Sequence, residues 1–92
     1  MRIRWTAPAA DDLEQIADYI GQHNPAAART VTRAIVEGIS GLQAFPNRGR
    51  PGERSGTREL VVARLPAYVV VYSVRGNFVD VLHIWHGAQD WR

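Results

Sequence analysis

The sequence changes its hydrophobic periodicity once, at a segment rich in glycine, proline and arginine between Asn47 and Gly56. Before this segment, apolar residues recur at every third or fourth position, which is the spacing of one helical face. After it, β-branched and aromatic residues come in short runs bounded by turn residues, which is typical of strands. The chain therefore joins a helical half to a strand half, and this order predicts an α+β fold.

Two amphipathic helices are predicted in the first half. One runs from Pro8 to about His23 with Thr6 as its cap, and the other runs from Pro25 to about Ala44 with Asn24 as its cap. Their apolar faces are formed by Leu13, Ile16, Ala17 and Ile20 in the first helix and by Ala28, Val31, Ile35, Ile39 and Leu42 in the second. Three acids are expected near the positive end of the first helix dipole, namely Asp11, Asp12 and Glu14. The two helices should form an antiparallel hairpin.

Four strands are predicted around this hairpin. The first strand is Arg2–Trp5, and the other three are Thr57–Leu65, Tyr68–Arg75 and Phe78–His86, with the segment from Asn47 to Gly56 as a loop. Gly76-Asn77 is a two-residue turn suited to a tight hairpin. The order β-α-α-β-β-β predicts an α+β fold with the helix hairpin packed on one face of a mostly antiparallel sheet.

The last hairpin is expected to be apolar on both of its faces. Counting from the turn pairs Arg75 with Phe78, Tyr72 with Val81, Val70 with His83, and Tyr68 with Trp85. One face then holds Tyr68, Val70, Tyr72, Val79, Val81 and Trp85, and the other holds Val69, Val71, Phe78, Leu82 and Ile84. Two helices cover only one face, so a second cover is expected. The arginine-rich loop with the carboxyl-terminal segment Gly87–Arg92 is one candidate, and a partner chain is the other.

Length and composition limit the class of protein. The 92 residues make one domain, 1–92, and contain neither a run of eighteen apolar residues nor an amino-terminal secretory pattern. The chain has no cysteine, which excludes disulfides and thiolate metal sites and fits a reducing cytoplasm, where we expect it to act. Its three histidines lack ligand spacing, so we expect no metal and no cofactor.

The basic residues are notable for their type and position. All 11 are arginines, although the net charge is only +2. A genome rich in G and C explains the preference for arginine over lysine as well as a functional need for arginine does. It does not explain the clustering of Arg48, Arg50, Arg54, Arg58 and Arg64. The guanidinium group is a rigid fork that matches phosphate and carboxylate groups. The cluster is therefore either a solvated loop or a contact surface for a charged partner.

Four blocks of the sequence carry most of its distinctive residues, and they are Pro8–Ile20, Phe45–Gly52, Thr57–Val62 with Tyr68–Val74, and Val81–Trp91. Taken together and in order, these blocks resemble the ParE/RelE superfamily of type II toxins. The resemblance spans essentially the whole chain. It implies a small toxin that is encoded beside an antitoxin protein, which wraps and inactivates it.

The superfamily contains two kinds of toxin, and the resemblance implies different residues for each. RelE-like members resemble metal-free ribonucleases that cut messenger RNA on the ribosome, and for that chemistry Arg58, Arg64 and His86 are the catalytic candidates. Such members typically carry an arginine at the position of Val69, three residues before the tyrosine that matches Tyr72, whereas ParE-like members, which act on DNA gyrase, are apolar there. Val69 therefore favours the ParE-like branch. The ribonuclease and an inactive interaction module remain alternatives, and an independent RNA-binding domain is disfavoured.

The candidate residues for binding the target or the antitoxin are Arg48, Arg50, Arg54, Arg58, Arg64, Val69 and Trp91. An acidic antitoxin tail, disordered when free, is expected to bind an apolar groove and these arginines. The tryptophans are expected to be core or interface anchors, with stacking on a nucleobase as a further option for Trp91. His83 is expected to be packed or hydrogen-bonded. The expected partners are thus an antitoxin and either gyrase or the ribosome with its message, with no membrane.

Overall fold

The computed structural model describes residues 1–62 and 68–87. Its helices are α1 (Ala7–Gly21) and α2 (Pro25–Ser40), followed by a 3-10 turn (Gly41–Gln43). Its strands are β1 (Arg2–Trp5), β2 (Arg50–Pro51), β3 (Arg58–Val61), β4 (Tyr68–Arg75) and β5 (Phe78–His86). They form one mixed sheet in the order β1-β5-β4-β3-β2, in which β1 lies parallel to β5 and the other neighbours are antiparallel. The predicted α+β fold is confirmed.

Both helices begin at the predicted caps. The Thr6 hydroxyl accepts the Ala9 amide at 3.3 Å, and the Asn24 side-chain oxygen accepts the Ala27 amide at 3.0 Å. The expectation for the acids of α1 is wrong, because its first turn contains none. Asp12 instead contacts β5, where its carboxylate accepts the Ile84 amide at 3.0 Å.

The core lies between the helix hairpin and one face of the sheet. The helices and the 3-10 turn contribute Ala9, Ile35, Ile39 and Leu42, and the sheet, with Val62 just after β3, contributes Leu60, Val62, Val70, Tyr72, Val79, Val81 and Ile84. Partly buried residues from the predicted apolar faces, including Leu13, Ile16 and Val31, pack against this cluster. No helix within the described ranges is both long enough and apolar enough to span a bilayer.

The arginine-rich segment is more ordered than predicted. Within it, Arg50 and Pro51 form β2 and pair with Glu59 and Arg58 of β3. Proline fits there because β2 is an edge strand, where its missing N–H is tolerated. The prediction of a loop throughout this segment is therefore wrong at β2. The predicted strand Thr57–Leu65 is shorter in the structure, and its end at residues 63–65 lies outside the described residues.

A β-bulge at Leu82 changes the register of the last hairpin. Near the turn the pairing is as predicted, with Tyr72 opposite Val81, but the next pair joins Val71 to His83. Leu82 is thus an extra residue in β5, and a bulge of this kind turns all later side chains to the opposite face. Neither the residue types nor the turn signalled it.

Because of the bulge, the residues after Leu82 lie on the face of the sheet opposite to the one predicted. The pairs beyond it are Val70 with Ile84, Val69 with Trp85, and Tyr68 with His86, so the predicted pairs of Val70 with His83 and of Tyr68 with Trp85 are wrong. Ile84 therefore joins the core, whereas Trp85 lies on the outer face, meaning the sheet face away from the helices. The outer face also carries the charged residues Glu59 and Asp80, so it is less apolar than expected.

Candidate target-binding surface

The start of the arginine-rich segment is held against the end of the sheet by two side chains. The Tyr72 hydroxyl donates to the Pro46 carbonyl at 2.7 Å and accepts the Gly49 amide at 2.9 Å. Arg58 donates to the Gly49 carbonyl at 2.7 Å and to the Asn47 carbonyl at 3.4 Å. We call residues 45–50 the arginine loop. Its backbone is fixed by these contacts although it lies at the surface.

Arg48 lies at the centre of the arginine loop and is exposed. Its amide donates to the Phe45 carbonyl at 3.1 Å, and its guanidinium carbon lies 5.0 Å from the centre of the Phe45 ring. The same guanidinium lies close to Gly41 at the carboxyl-terminal end of α2, where a cation is favoured by the helix dipole. Phe45 is itself 59% exposed. The loop therefore presents a cation beside an exposed aromatic ring, which is a combination enriched in protein interfaces.

Arg50 is tied to the sheet by an ion pair. Its guanidinium lies 3.1 Å from the Glu59 carboxylate, which is buried on the outer face. Because burial of an unbalanced carboxylate is costly, Arg50 supports the β2–β3 pairing as well as the surface charge. Arg54 is exposed in the following turn, where its carbonyl accepts the Thr57 hydroxyl. Arg50 and Arg58 thus have structural contacts as well as charge, whereas Arg48 and Arg54 mainly contribute charge at the surface.

The outer face ends in an apolar row that crosses three strands. Val69 pairs with Val61 of β3 on one side and with Trp85 of β5 on the other. Val61 is 41% exposed. The row places Val69, a predicted binding residue, in an apolar environment.

His83 stacks on Trp85 with ring centroids 4.8 Å apart, and its Nδ1 lies 3.0 Å from the Asp12 carboxylate. The expected hydrogen-bonded histidine is confirmed.

An ion pair that the sequence did not indicate lies at the other end of the outer face. Arg4 contacts both carboxylate oxygens of Asp80, at 2.6 and 3.1 Å, and its guanidinium lies 3.7 Å above the Phe78 ring centre. The hydrogen bond from Arg4 lowers the pKa of Asp80, with the charges of Arg4 and Arg75 adding to the effect and burial opposing it. The same bond raises the pKa of Arg4. The sequence of β1 does not reveal this partner of Arg4, because Asp80 lies 76 residues later in the chain.

The lowered pKa of Asp80 predicts a pH dependence of stability. Because the folded pKa lies below that of the unfolded chain, the carboxylate stabilises the fold above about pH 4 and loses this effect as the pH falls through the folded pKa. Asp80→Asn should therefore lower the free energy of unfolding at pH 7 and have much less effect near pH 2. Urea unfolding of both proteins at the two pH values measures this, with Asp11→Asn as a control for net charge. An Asp80→Asn effect of equal size at both pH values would contradict the assignment.

A groove lies between α1 and the ends of β4 and β5. It has a volume of about 540 Å³ and is lined by Asp12, Gln15, Ile16, Tyr19, Tyr68, Ile84, Trp85 and His86. The rings of Tyr68 and His86 meet edge to face at 5.2 Å. Burial raises the pKa of Tyr68, and the neighbouring Tyr19 adds to the effect. Tyr19 is 71% exposed, so the groove opens to solvent beside an aromatic side chain.

The structure does not bring the two described catalytic candidates together. Arg58 pairs with Tyr72, whereas His86 pairs with Tyr68, four residues earlier in β4. Four residues span about 13 Å along a strand, and β3 and β5 lie about 10 Å apart across β4, so the two backbones are about 16 Å apart. In addition, Arg58 is directed at the loop carbonyls of Gly49 and Asn47. Arg58 is thus engaged by the arginine loop, and its backbone lies far from that of His86.

Two predicted site residues, Arg64 and Trp91, lie outside the described residues. Within residues 1–62 and 68–87, no group of three potential metal ligands comes together. Sequence reasoning did not assign a role to Tyr72, which connects the core to the arginine loop. The signal that could have found it is a tyrosine at the centre of an apolar strand together with a glycine in the loop, since a buried hydroxyl requires a partner.

Comparisons with known proteins agree with one another. Residues 3–91 match the family model described as the ParE toxin of the type II toxin–antitoxin system parDE. The chain is 39% identical over 90 residues to Y4kP of Sinorhizobium fredii, whose name describes it as a toxin, covering 98% of this chain and 92% of that protein. It is 38% identical over 88 residues to the toxin RelE2 of Caulobacter vibrioides, covering 96% and 97%. A solved structure of a chromosomal ParDE system from P. aeruginosa superimposes with a TM-score of 0.85 at 32% identity, covering 94% of this chain and 95% of that chain.

Proposed function

Because the chain belongs to the ParE toxin family of type II toxin–antitoxin systems, we propose that it arrests growth by binding and inhibiting DNA gyrase until a cognate antitoxin neutralises it. The family match establishes the toxin class. The choice of gyrase as the target is our inference from the arrangement of the described residues.

The separation of Arg58 from His86 is the observation that carries this choice. Metal-free cleavage of RNA requires a proton-transfer group and a cation at the same phosphate, within hydrogen-bonding distance of the reacting atoms. Arg58 lies opposite Tyr72 in the middle of β4 and His86 lies opposite Tyr68 at its start, so their backbones are about 16 Å apart by strand geometry. Arg58 also has a structural role, because it donates to the carbonyl groups of the arginine loop. Both features support a toxin that acts by binding.

The position of Val69 supports the same conclusion. It lies between Val61 and Trp85 in the apolar row of the outer face. A valine there offers no charge to a phosphorane, whereas it suits contact with another protein surface. Arg48, Arg54 and the exposed Phe45 supply the polar and aromatic part of such a contact.

A ribosome-dependent mRNA endoribonuclease is the second candidate. It is favoured by the identity of 38% to a toxin named RelE2 and of 29% over 82 residues to one named RelE1, both of Caulobacter vibrioides. In that function, His86 would transfer a proton, and its edge-to-face contact with Tyr68 would orient its ring. The test must therefore separate proton transfer from binding.

We further propose that an acidic antitoxin segment binds the groove and the arginines. The groove offers aromatic and aliphatic surface, with Ile16, Tyr19 and Tyr68 along its walls. The exposed guanidinium groups offer complementary charge for an acidic chain. Apolar burial and charge attraction would both contribute, so the affinity should fall with added salt without being lost.

The order of events after induction in cells, together with the effect of His86→Ala, separates the two candidate functions. Inducing the toxin without antitoxin should activate DNA damage signalling before translation declines, because poisoned gyrase leaves broken DNA. His86→Ala should leave the arrest largely intact, since binding requires no proton transfer. The ribonuclease predicts the opposite, with early loss of translation and a toxin that becomes roughly a hundredfold less potent on His86→Ala. Toxin levels measured by immunoblot ensure that the variants are compared at equal amounts.

A further inference from the structure

We infer that Tyr72 is a positioning residue that holds Arg48 in the conformation in which the toxin binds its target. The inference rests on the proposed function, since it gives the arginine loop the target contact. It adds a specific mechanical link between a buried side chain and an exposed one. Tyr72 is fully buried in β4, whereas Arg48 is exposed.

The hydroxyl of Tyr72 bonds to the backbone on both sides of Arg48. It donates to the carbonyl of Pro46, two residues before, and accepts the amide of Gly49, one residue after. The ring belongs to the hydrophobic core, so the hydroxyl is fixed by packing rather than by the loop. Because both bonds join core to loop, the position of the Arg48 backbone is set by the sheet.

Gly49 is required for this arrangement. A Cβ atom at Gly49 would lie 2.8 Å from the Tyr72 hydroxyl and ring and 3.0 Å from the Glu59 carbonyl. No side chain fits at those distances, so the loop approaches the tyrosine closely only with glycine there. Arg58 then fixes the Gly49 carbonyl from β3 at 2.7 Å.

Fixing the backbone affects binding through conformational entropy. A surface loop that is free before binding loses that freedom when a partner orders it, and the affinity is reduced accordingly. Residues 46–49 are already ordered by Tyr72 and Arg58, so Arg48 is preorganised beside Phe45. The tyrosine hydroxyl should therefore influence toxicity without touching the target.

Tyr72→Phe tests the link because phenylalanine keeps the core ring and removes only the hydroxyl. We expect about a tenfold higher toxin level to be needed for growth arrest, within the range expected for losing both hydrogen bonds of the hydroxyl, with faster hydrogen exchange at the Gly49 amide. Thr30→Val, which removes a hydroxyl that donates to the Ala26 carbonyl within α2, is the matched control. Growth arrest is scored at measured toxin levels in cells without antitoxin.

Combining Tyr72→Phe with Arg48→Ala distinguishes positioning from general destabilisation. If Tyr72 acts through Arg48, Tyr72→Phe should change toxicity less than twofold in the Arg48→Ala background. An equal loss in both backgrounds, or unchanged toxicity of the single variant, would overturn the inference. Because growth arrest is scored whichever target is hit, failure of the gyrase proposal is recognised separately, from an unaffected supercoiling reaction with the wild-type toxin.

Discussion

Reversing the charge of Arg48 with Arg48→Glu is expected to raise the toxin concentration that half-inhibits gyrase by roughly tenfold to a hundredfold. Arg48 combines an exposed guanidinium with a fixed backbone, and its neighbour Phe45 is 59% exposed. A charge presented from an ordered loop beside an aromatic ring is the kind of residue that dominates an interface. Supercoiling assays with purified toxin and relaxed plasmid measure the effect.

Arg29→Glu is the matched control for this prediction. It makes the same change in net charge at an exposed position on α2. If long-range attraction alone were responsible, the two variants would lose activity equally, and added salt would remove the difference from wild type. Arg50→Glu is less suitable, because it would place a carboxylate against buried Glu59 and disturb the β2–β3 pairing. Equal losses in Arg48→Glu and Arg29→Glu would contradict a specific contact.

Gly49→Ala is expected to lower the free energy of unfolding by about 1–3 kcal/mol, the usual cost of overpacking. The added methyl group would lie 2.8 Å from the Tyr72 side chain, so either the loop or the core tyrosine must move. Both bonds of the tyrosine hydroxyl to the loop would be strained by that shift. Urea unfolding gives the free energy, and growth arrest should weaken in parallel.

Gly38→Ala is the matched control, and it should not lower the free energy of unfolding. Gly38 lies within α2, and among the described residues a Cβ there would meet a Leu60 methyl group at 3.8 Å, which is an ordinary contact. Because alanine is favoured over glycine in helices by about 1 kcal/mol, this variant should be as stable as wild type or more so. Similar destabilisation by both substitutions would show that the close approach at Gly49 has no special role.

The features that sequence predicted well are local ones. Thr6 and Asn24 were recognisable as caps because the cap, the following proline and the apolar spacing all lie within a few residues. The Gly76-Asn77 turn fixed the adjacent pairs for the same reason. The extra residue at Leu82 was not predictable, because the pattern of polar and apolar residues in Val-Leu-His-Ile is compatible with a regular strand and with a bulged one. Its effect on the faces of Ile84 and Trp85 then followed automatically.

The candidate site was predictable in composition but not in its internal contacts. The crowding of arginines is visible in the sequence, but their different roles depend on partners that lie far away along the chain. Arg50 pairs with buried Glu59, Arg58 bonds to loop carbonyls, and Arg48 packs beside Phe45. In the folded protein, some arginines of the cluster therefore stabilise the structure, and others are exposed at the surface for binding. The role of Tyr72 depends on a loop 23 residues before it, which no local pattern encodes.

The most direct test of the central claim adds the purified toxin to two reactions in parallel. One contains gyrase with relaxed plasmid, and the other contains translating ribosomes with a defined message. A gyrase poison whose arginine loop makes the contact should inhibit supercoiling or trap cleaved plasmid, leave the message intact, and lose this effect with Arg48→Glu but not with His86→Ala. A message cut in the ribosomal A site, with supercoiling untouched and cleavage dependent on His86, would contradict the claim, as would an absence of both effects.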